Sequence, residues 1–291
     1  MVALLGGTLA ALSWGMSTLA ASRAASAVGA RVVLAWVMGI GLGLGVLITV
    51  TQPMPAIDGQ ALALLALAGF GNALGLLAAY TAFATGKVSI VAPIVSTQGA
   101  GAAAIAIALG EAVEPPVAFG LAVAAIGVVL VSWERTPPAP VGISRADAPV
   151  AQHPRSAVVL AAFAATLFAI GLYATGRIGA ELGVGMTVLP SRTVGSMFVT
   201  LPLAFAGRLR LTRRVAPLVL LIGVLEVVGV VGVAIGSTDS ISISVVLSSQ
   251  FASVAAVGAF LLFHERITRH QLLGIGLIVT GVAAVAWLRA T

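Results

Sequence analysis

Ten apolar runs of about 20 residues follow one another along this chain, and nothing else constrains its fold as strongly. They fall near residues 2–21, 32–50, 60–82, 88–109, 117–133, 156–176, 188–207, 215–236, 242–263 and 271–288. Each can cross a hydrocarbon core of roughly 30 Å as a helix rising about 1.5 Å per residue. Lipid offers the backbone no hydrogen bonds, so such runs satisfy their own amides as helices. Of the 291 residues 60% are hydrophobic and 8% charged, against roughly 25% charged in a soluble domain. The expectation is an all-α membrane protein of ten transmembrane helices, with the lipid bilayer as a partner and the cell's inner (plasma) membrane as its location. The first run begins at Met1 with no basic stretch before it, so it is expected to be a mature helix, not a signal peptide.

Several function classes fall away. The chain has no cysteine, which excludes disulfides, thiolate metal sites and thiol catalysis. His153, His264 and His270 lie in loops, with no cluster of metal-ligating side chains. No phosphate-binding loop occurs, so ATP does not power this chain. Neither a metal, another cofactor nor an enzymatic activity is expected. The net charge is +6, but the basic residues lie mostly between the apolar runs, where they set orientation; nucleic acid is not an expected partner. Loops after the odd-numbered runs hold twelve basic residues, among them the cluster "RLRLTRR" (208–214), and the opposite side holds three. The positive-inside rule then places both termini outside.

Residues 134–155, "ERTPPAPVGISRADAPVAQHPR", form the one long proline-rich polar stretch and divide the runs five and five. Residues 1–133 and 156–291 are therefore expected to be two halves. A repeat relates them. "EAVEPPVAFGLAVAAIGVVLVSWER" (111–135) aligns with "ERITRHQLLGIGLIVTGVAAVAWLR" (265–289), pairing Glu111 with Glu265, Gly120 with Gly274, Gly127 with Gly281 and Trp133 with Trp287. The same offset pairs Trp14 with Phe168, Arg23 with Arg177, Asn72 with Glu226 and Gly75 with Gly229. With short gaps, "VSTQ" (95–98) falls on "LSSQ" (247–250) and Arg31 on Arg192. Five crossings per half make the repeats inverted, as in alternating-access transporters, whose sites lie near the midplane between repeats.

"LLFHERITRHQLLGIGLIVTGVAAVAW" resembles the closing signature of the drug/metabolite transporter superfamily, in its ten-helix EamA-type branch. "LGEAVEPPVAFGLAVAAIG" carries a worn version, Arg31 and Arg192 fit the arginine that opens the second helix of each half, and His264 replaces the usual glycine before Glu265. The resemblance spans essentially the whole chain. It implies two inverted five-helix repeats around a central cavity, with the fifth helix of each half outside. It also implies movement of small organic solutes, often export of amino acids or related metabolites, and termini that usually face the cytoplasm.

One residue contradicts its surroundings. "PLVLLIGVLEVVGVVGVAIGS" (217–237) is apolar save for Glu226 near its middle and a closing serine. A carboxylate at the bilayer centre costs at least about 2.5–3.5 kcal/mol, so it should face a cavity or a partner. Glu226 is a candidate proton carrier or ligand for a cationic amine; a purely structural, hydrogen-bonded Glu is the other reading. Its repeat mate Asn72 is polar and mid-span too. Arg192 is a candidate to neutralise Glu226 or to attract a substrate carboxylate, or else to snorkel to the headgroups; snorkelling fits Arg31, Arg23 and Lys87. Ser244 and Ser248 share a helical face and serve either as cavity lining or as helix–helix glue. Gln98 and Gln250 are the stronger lining candidates, being too long for close packing. Pro93 should loosen the fourth helix, which also carries Ser89. Trp14 and Phe168 lie too deep to be interfacial anchors and are candidate walls of a pocket, whereas Trp133 and Trp287 fit the interface. The expected function is a secondary transporter exporting a small-molecule substrate, with amino acids or analogues first, either proton-coupled through Glu226 or simply downhill. A lipid-linked sugar flippase or flippase subunit, and a non-transporting scaffold, remain alternatives. The architecture is compatible with a homodimer.

Overall fold

A computed structural model describes residues 1–52, 55–85, 94–132, 154–251, 253–254, 257–258 and 269–288. Ser89, Lys87, Pro93, Trp133, His153, His264, Glu265 and most of the 134–155 stretch lie outside the described residues, so the expectations on them are left where the sequence put them. The described residues form α-helices and no strand. In chain order these are α1 (Val2–Val28), α2 (Ala30–Val50), α3 (Gly59–Thr85), α4 (Gln98–Ala108), α5 (Pro115–Ser132) and α6 (Pro154–Glu181). They continue with α7 (Gly185–Phe205), α8 (Ala216–Ser237), α9 (Ile241–Ser248) and α10 (Arg269–Leu288). Six of them, α1, α2, α3, α6, α7 and α8, are long and apolar enough to cross a membrane, and shorter apolar helices fill the fourth, fifth and tenth places. The chain is an all-α, multi-span membrane protein.

Turns obey the repeat. Gly29 is the single residue between α1 and α2, at φ 90°, and Gly183, its mate at the same offset, turns α6 into α7 at φ 85°. A side chain would strain both positions, because positive φ is open mainly to glycine.

The principal contacts join one half to the other. α1 packs antiparallel against α8, α3 against α6, α5 against α10, α4 against α9 and α2 against α7. Exchanging each helix for the one five places away turns the first pair into the second and returns the other three to themselves. Individual residues follow the same exchange. Gly120 meets Gly281 across α5 and α10, and Gly127 meets Gly274. Gly75 lies under the Phe168 ring, and Gly229 under the Trp14 indole.

Side-chain size decides which residues go inside. Ala10, Ala24, Ala82, Ala161 and Ala164 are buried, whereas Leu5, Phe119, Phe163 and Phe205 are exposed. Lipid solvates large apolar groups as well as the interior does, so contacts between helices favour small residues that bring backbones together. At Gly71 a Cβ would stand 2.8 Å from the Gly171 Cα. That crossing is closed to any side chain.

Candidate functional site

Glu226 sits halfway along α8, ten residues from its first residue. α8 packs on α1, and this crossing brings Ser17 to the carboxylate: the Ser17 hydroxyl donates to Glu226 Oε1 at 2.7 Å. One turn earlier on α1, the Trp14 indole N–H points to the Glu226 backbone carbonyl at 3.4 Å. The second carboxylate oxygen lies 3.6 Å from the Arg192 guanidinium. Glu226 thus touches α1 and α7, yet its side chain keeps 30% of its surface exposed.

Arg192 does not snorkel. Its side chain is 1% exposed and runs between α2 and α8. Passage along α2 depends on Gly41, where a Cβ would stand 2.8 Å from Arg192 Cδ. The guanidinium also points one N–H at the Met38 sulfur, 3.6 Å away. α7 is irregular around it. Pro190 interrupts the hydrogen-bond ladder, and Ser196–Thr200 forms a π turn, a feature frequent at functional sites. Within that turn the Thr200 hydroxyl donates to the Ala35 carbonyl of α2 at 2.8 Å. Arg31, the repeat mate of Arg192, is exposed, as is Arg23, and Glu226 is paired with Arg192.

The repeat-equivalent crossing of α3 and α6 holds Asn72 and Phe168. Gly171 stands where α1 has Ser17, close against the Asn72 backbone. No charge occurs there; Phe168 packs into an alanine-rich cluster with Ala78, Ala161 and Ala164.

α4 and α9 share another irregularity. Just before α4 the helical ladder that starts at Ile94 is interrupted at Thr97, whose N–H bonds the Ile94 carbonyl three residues back. In α9 it is interrupted at Ser249 and Gln250, where the Gln250 N–H bonds the Leu247 carbonyl, also three back. Both interruptions fall at the "VSTQ" and "LSSQ" segments that the repeat aligns. The two helices cross there, with Gly99 against Ser249. Interrupted helices at corresponding places in two halves point to a binding region. Gln98 and Gln250 are 9% and 6% exposed. The Gln250 amide N–H donates to the Val246 carbonyl at 3.2 Å, while its buried carbonyl oxygen has no hydrogen-bond partner among the described residues. Gly15, between Trp14 and Ser17, abuts Phe251 and Val254 just past the break. α1 therefore links Glu226 to the Gln250 region at one depth.

Ser244 and Ser248 belong to the packing. Both are fully buried, with hydroxyls donating to the Val233 and Val245 carbonyls. Ser244 lies against Gly7 and Gly236, where small residues let α1, α8 and α9 meet. The Ser244 hydroxyl thus joins α9 to α8, while the Ser248 hydroxyl bonds within its own helix.

Residues 1–133 match the EamA-like transporter family. The first half of the chain is thus similar to EamA-like transporters, and Trp14, Ser17 and Asn72 fall within the matched residues. A protein of known crystal structure superposes with a TM-score of 0.72, covering 98% of this chain and 96% of that one at 16% identity. At that identity the likeness is one of fold alone. No curated protein sequence matches the chain.

Three polar residues of this chain escape a linear reading. Ser17 is one serine in a helix of small residues, and its partner lies 209 positions away. Gln52, just past α2, accepts a hydrogen bond from the Gly185 backbone at 2.9 Å. Glu111, in the turn between α4 and α5, bonds Ser240 and Ser242 at the start of α9. Of these only Glu111 gave a signal, its pairing with Glu265, and that signal named no partner.

Proposed function

We propose that this protein is a secondary transporter exporting small organic metabolites, amino acids or close analogues first, by alternating access. The reading takes residues 1–133 and 156–291 as two inverted repeats joined by the 134–155 linker, rocking about a midplane site. The observation that carries it is the Glu226 carboxylate, held at mid-span by Ser17 and paired with a buried Arg192 while part of it stays exposed.

The pair is loose. At 3.6 Å it lies beyond the roughly 2.7–2.9 Å of a charge-assisted hydrogen bond. A zwitterion offers an ammonium to Glu226 and a carboxylate to Arg192, replacing one imperfect pair by two good ones. Trp14 walls the crossing on one side, and the buried Gln250 oxygen is available to a donor group on the substrate. With no substrate bound, a proton on Glu226 would discharge the carboxylate, which couples export to proton entry. The enclosed, charged arrangement supports a small zwitterion over a lipid-linked sugar phosphate.

The test is flux of an amino-acid and metabolite panel through proteoliposomes, with and without a pH gradient, for the wild type and Glu226→Gln. Gradient-dependent flux that the variant retains only as exchange would make Glu226 the proton carrier. Flux indifferent to both would leave Glu226 structural and remove coupling from the reading.

A further inference from the structure

The best-bonded carboxylate among the described residues is not Glu226. Glu111 lies between the last residue of α4 and the first of α5, at an end of the bundle. Its Oε1 accepts from the Ser240 hydroxyl at 2.6 Å and from the Ser242 backbone N–H at 3.2 Å. Its Oε2 accepts from the same N–H at 3.0 Å and from the Ser242 hydroxyl at 2.8 Å. Ser240 is the N-cap of α9 and Ser242 lies in its first turn. A carboxylate from one half thus covers amides and hydroxyls at the start of a helix in the other, where the helix dipole favours negative charge.

A second tie joins the halves at the same end. Gln52 accepts from the Gly185 N–H, and the Thr49 hydroxyl donates to the Gly185 carbonyl at 2.8 Å. This fastens the end of α2 to the start of α7. The ends of α1 and α8 meet there too, through the Ala3 N–H and the Asp239 carboxylate. Beneath these ties Gly176 of α6 abuts Ser237, at the last turn of α8.

We propose that these contacts are the closed gate on this face, with Glu111 as its principal residue. Resting on the alternating-access reading above, the proposal says how one of its states is held shut. Thr97 ends the ladder just before α4 and Ser249 just after α9, so the segments that meet Glu111 are each joined to the helical residues beyond through a weakened turn. Opening to this face separates the α4–α5 turn from the start of α9 and gives the Glu111 carboxylate to water. Closing restores four bonds at once, a discrete two-state contact of the kind that amplifies a small displacement.

The chain has no cysteine, so one introduced thiol reports accessibility without background. Ser237→Cys is suited: the position is buried and its hydroxyl has no hydrogen-bond partner among the described residues to lose. A membrane-impermeant maleimide is applied to reconstituted protein from the Glu111 face, in the Ser237→Cys background with and without Glu111→Gln. The amide sets a donor against donors, and the expected result is labelling faster by about tenfold or more, a shift toward the open population. Ser242→Ala removes only one hydroxyl bond, so it is a gentler second variant, expected to raise the rate by about threefold. Equal rates in all three proteins would overturn the gate and leave Glu111 a static helix cap. The readout needs no substrate. Faster labelling in proteoliposomes that move no solute would keep the gate and remove the transport reading, and unchanged labelling beside active flux would do the reverse.

Discussion

The α1–α8 and α3–α6 crossings are the same object built twice. Each is antiparallel, each seats an aromatic ring on a glycine, and the exchange of halves carries one onto the other. Among their differences, three side chains concern charge. Where the first has Ser17, Glu226 and the adjoining Arg192, the second has Gly171 and Asn72, and Arg31 of its half is exposed. On the proposed reading, the shared backbone supplies the scaffold and the chemistry sits in the departures from symmetry. In the first crossing packing is relaxed enough to admit a hydroxyl and a carboxylate. In the second, Gly171 and Gly71 bring the backbones too close for either.

The comparison can be broken in several ways. The largest effect should come from Glu226→Ala, which takes the paired carboxylate away from a buried guanidinium. Thermal unfolding in detergent should show a loss of about 3–5 kcal/mol, which a second change, Arg192→Met, should largely recover. Next comes Ser17→Ala, which removes a hydrogen bond to a charged group and should cost about 1.5–3 kcal/mol by the same measurement. Gly229→Ala and Gly75→Ala sharpen the comparison from the other side. Each forces a ring off its glycine for about 1–3 kcal/mol, and the two costs should match, because this part of the scaffold is common to both crossings. A large inequality would mean the crossings are not equivalent. Smallest of all is Asn72→Ala, expected within about 0.5 kcal/mol of the wild type.

Much of this was legible in the sequence, for a physical reason. A bilayer imposes length and apolarity on every span, so ten runs announce ten helices, and a duplicated scaffold leaves its glycines and rings at a fixed offset. Trp14 with Phe168 and Gly75 with Gly229 could be paired on paper, although that pairing did not reveal that each ring covers the other half's glycine. Glu226 stood out because charge in such a run is expensive. Its partners did not, since contact between helices depends on which faces meet. Ser17 looks like any small helix residue, and Arg192 read equally well as a snorkelling arginine. The Glu111 bonds were hidden for the same reason: a glutamate in a loop turn carries no sign that a helix start from the other half lies above it.

The most direct test sets the two crossings side by side. Amino-acid flux into proteoliposomes would be compared for the wild type, Glu226→Gln and Asn72→Ala at matched reconstituted amounts. Loss of about 100-fold in the first variant, equivalent to about 2.7 kcal/mol, with the second near wild type, is the expected result. Equal loss in both, or flux untouched in both, would contradict the assignment of the site to the Glu226 crossing.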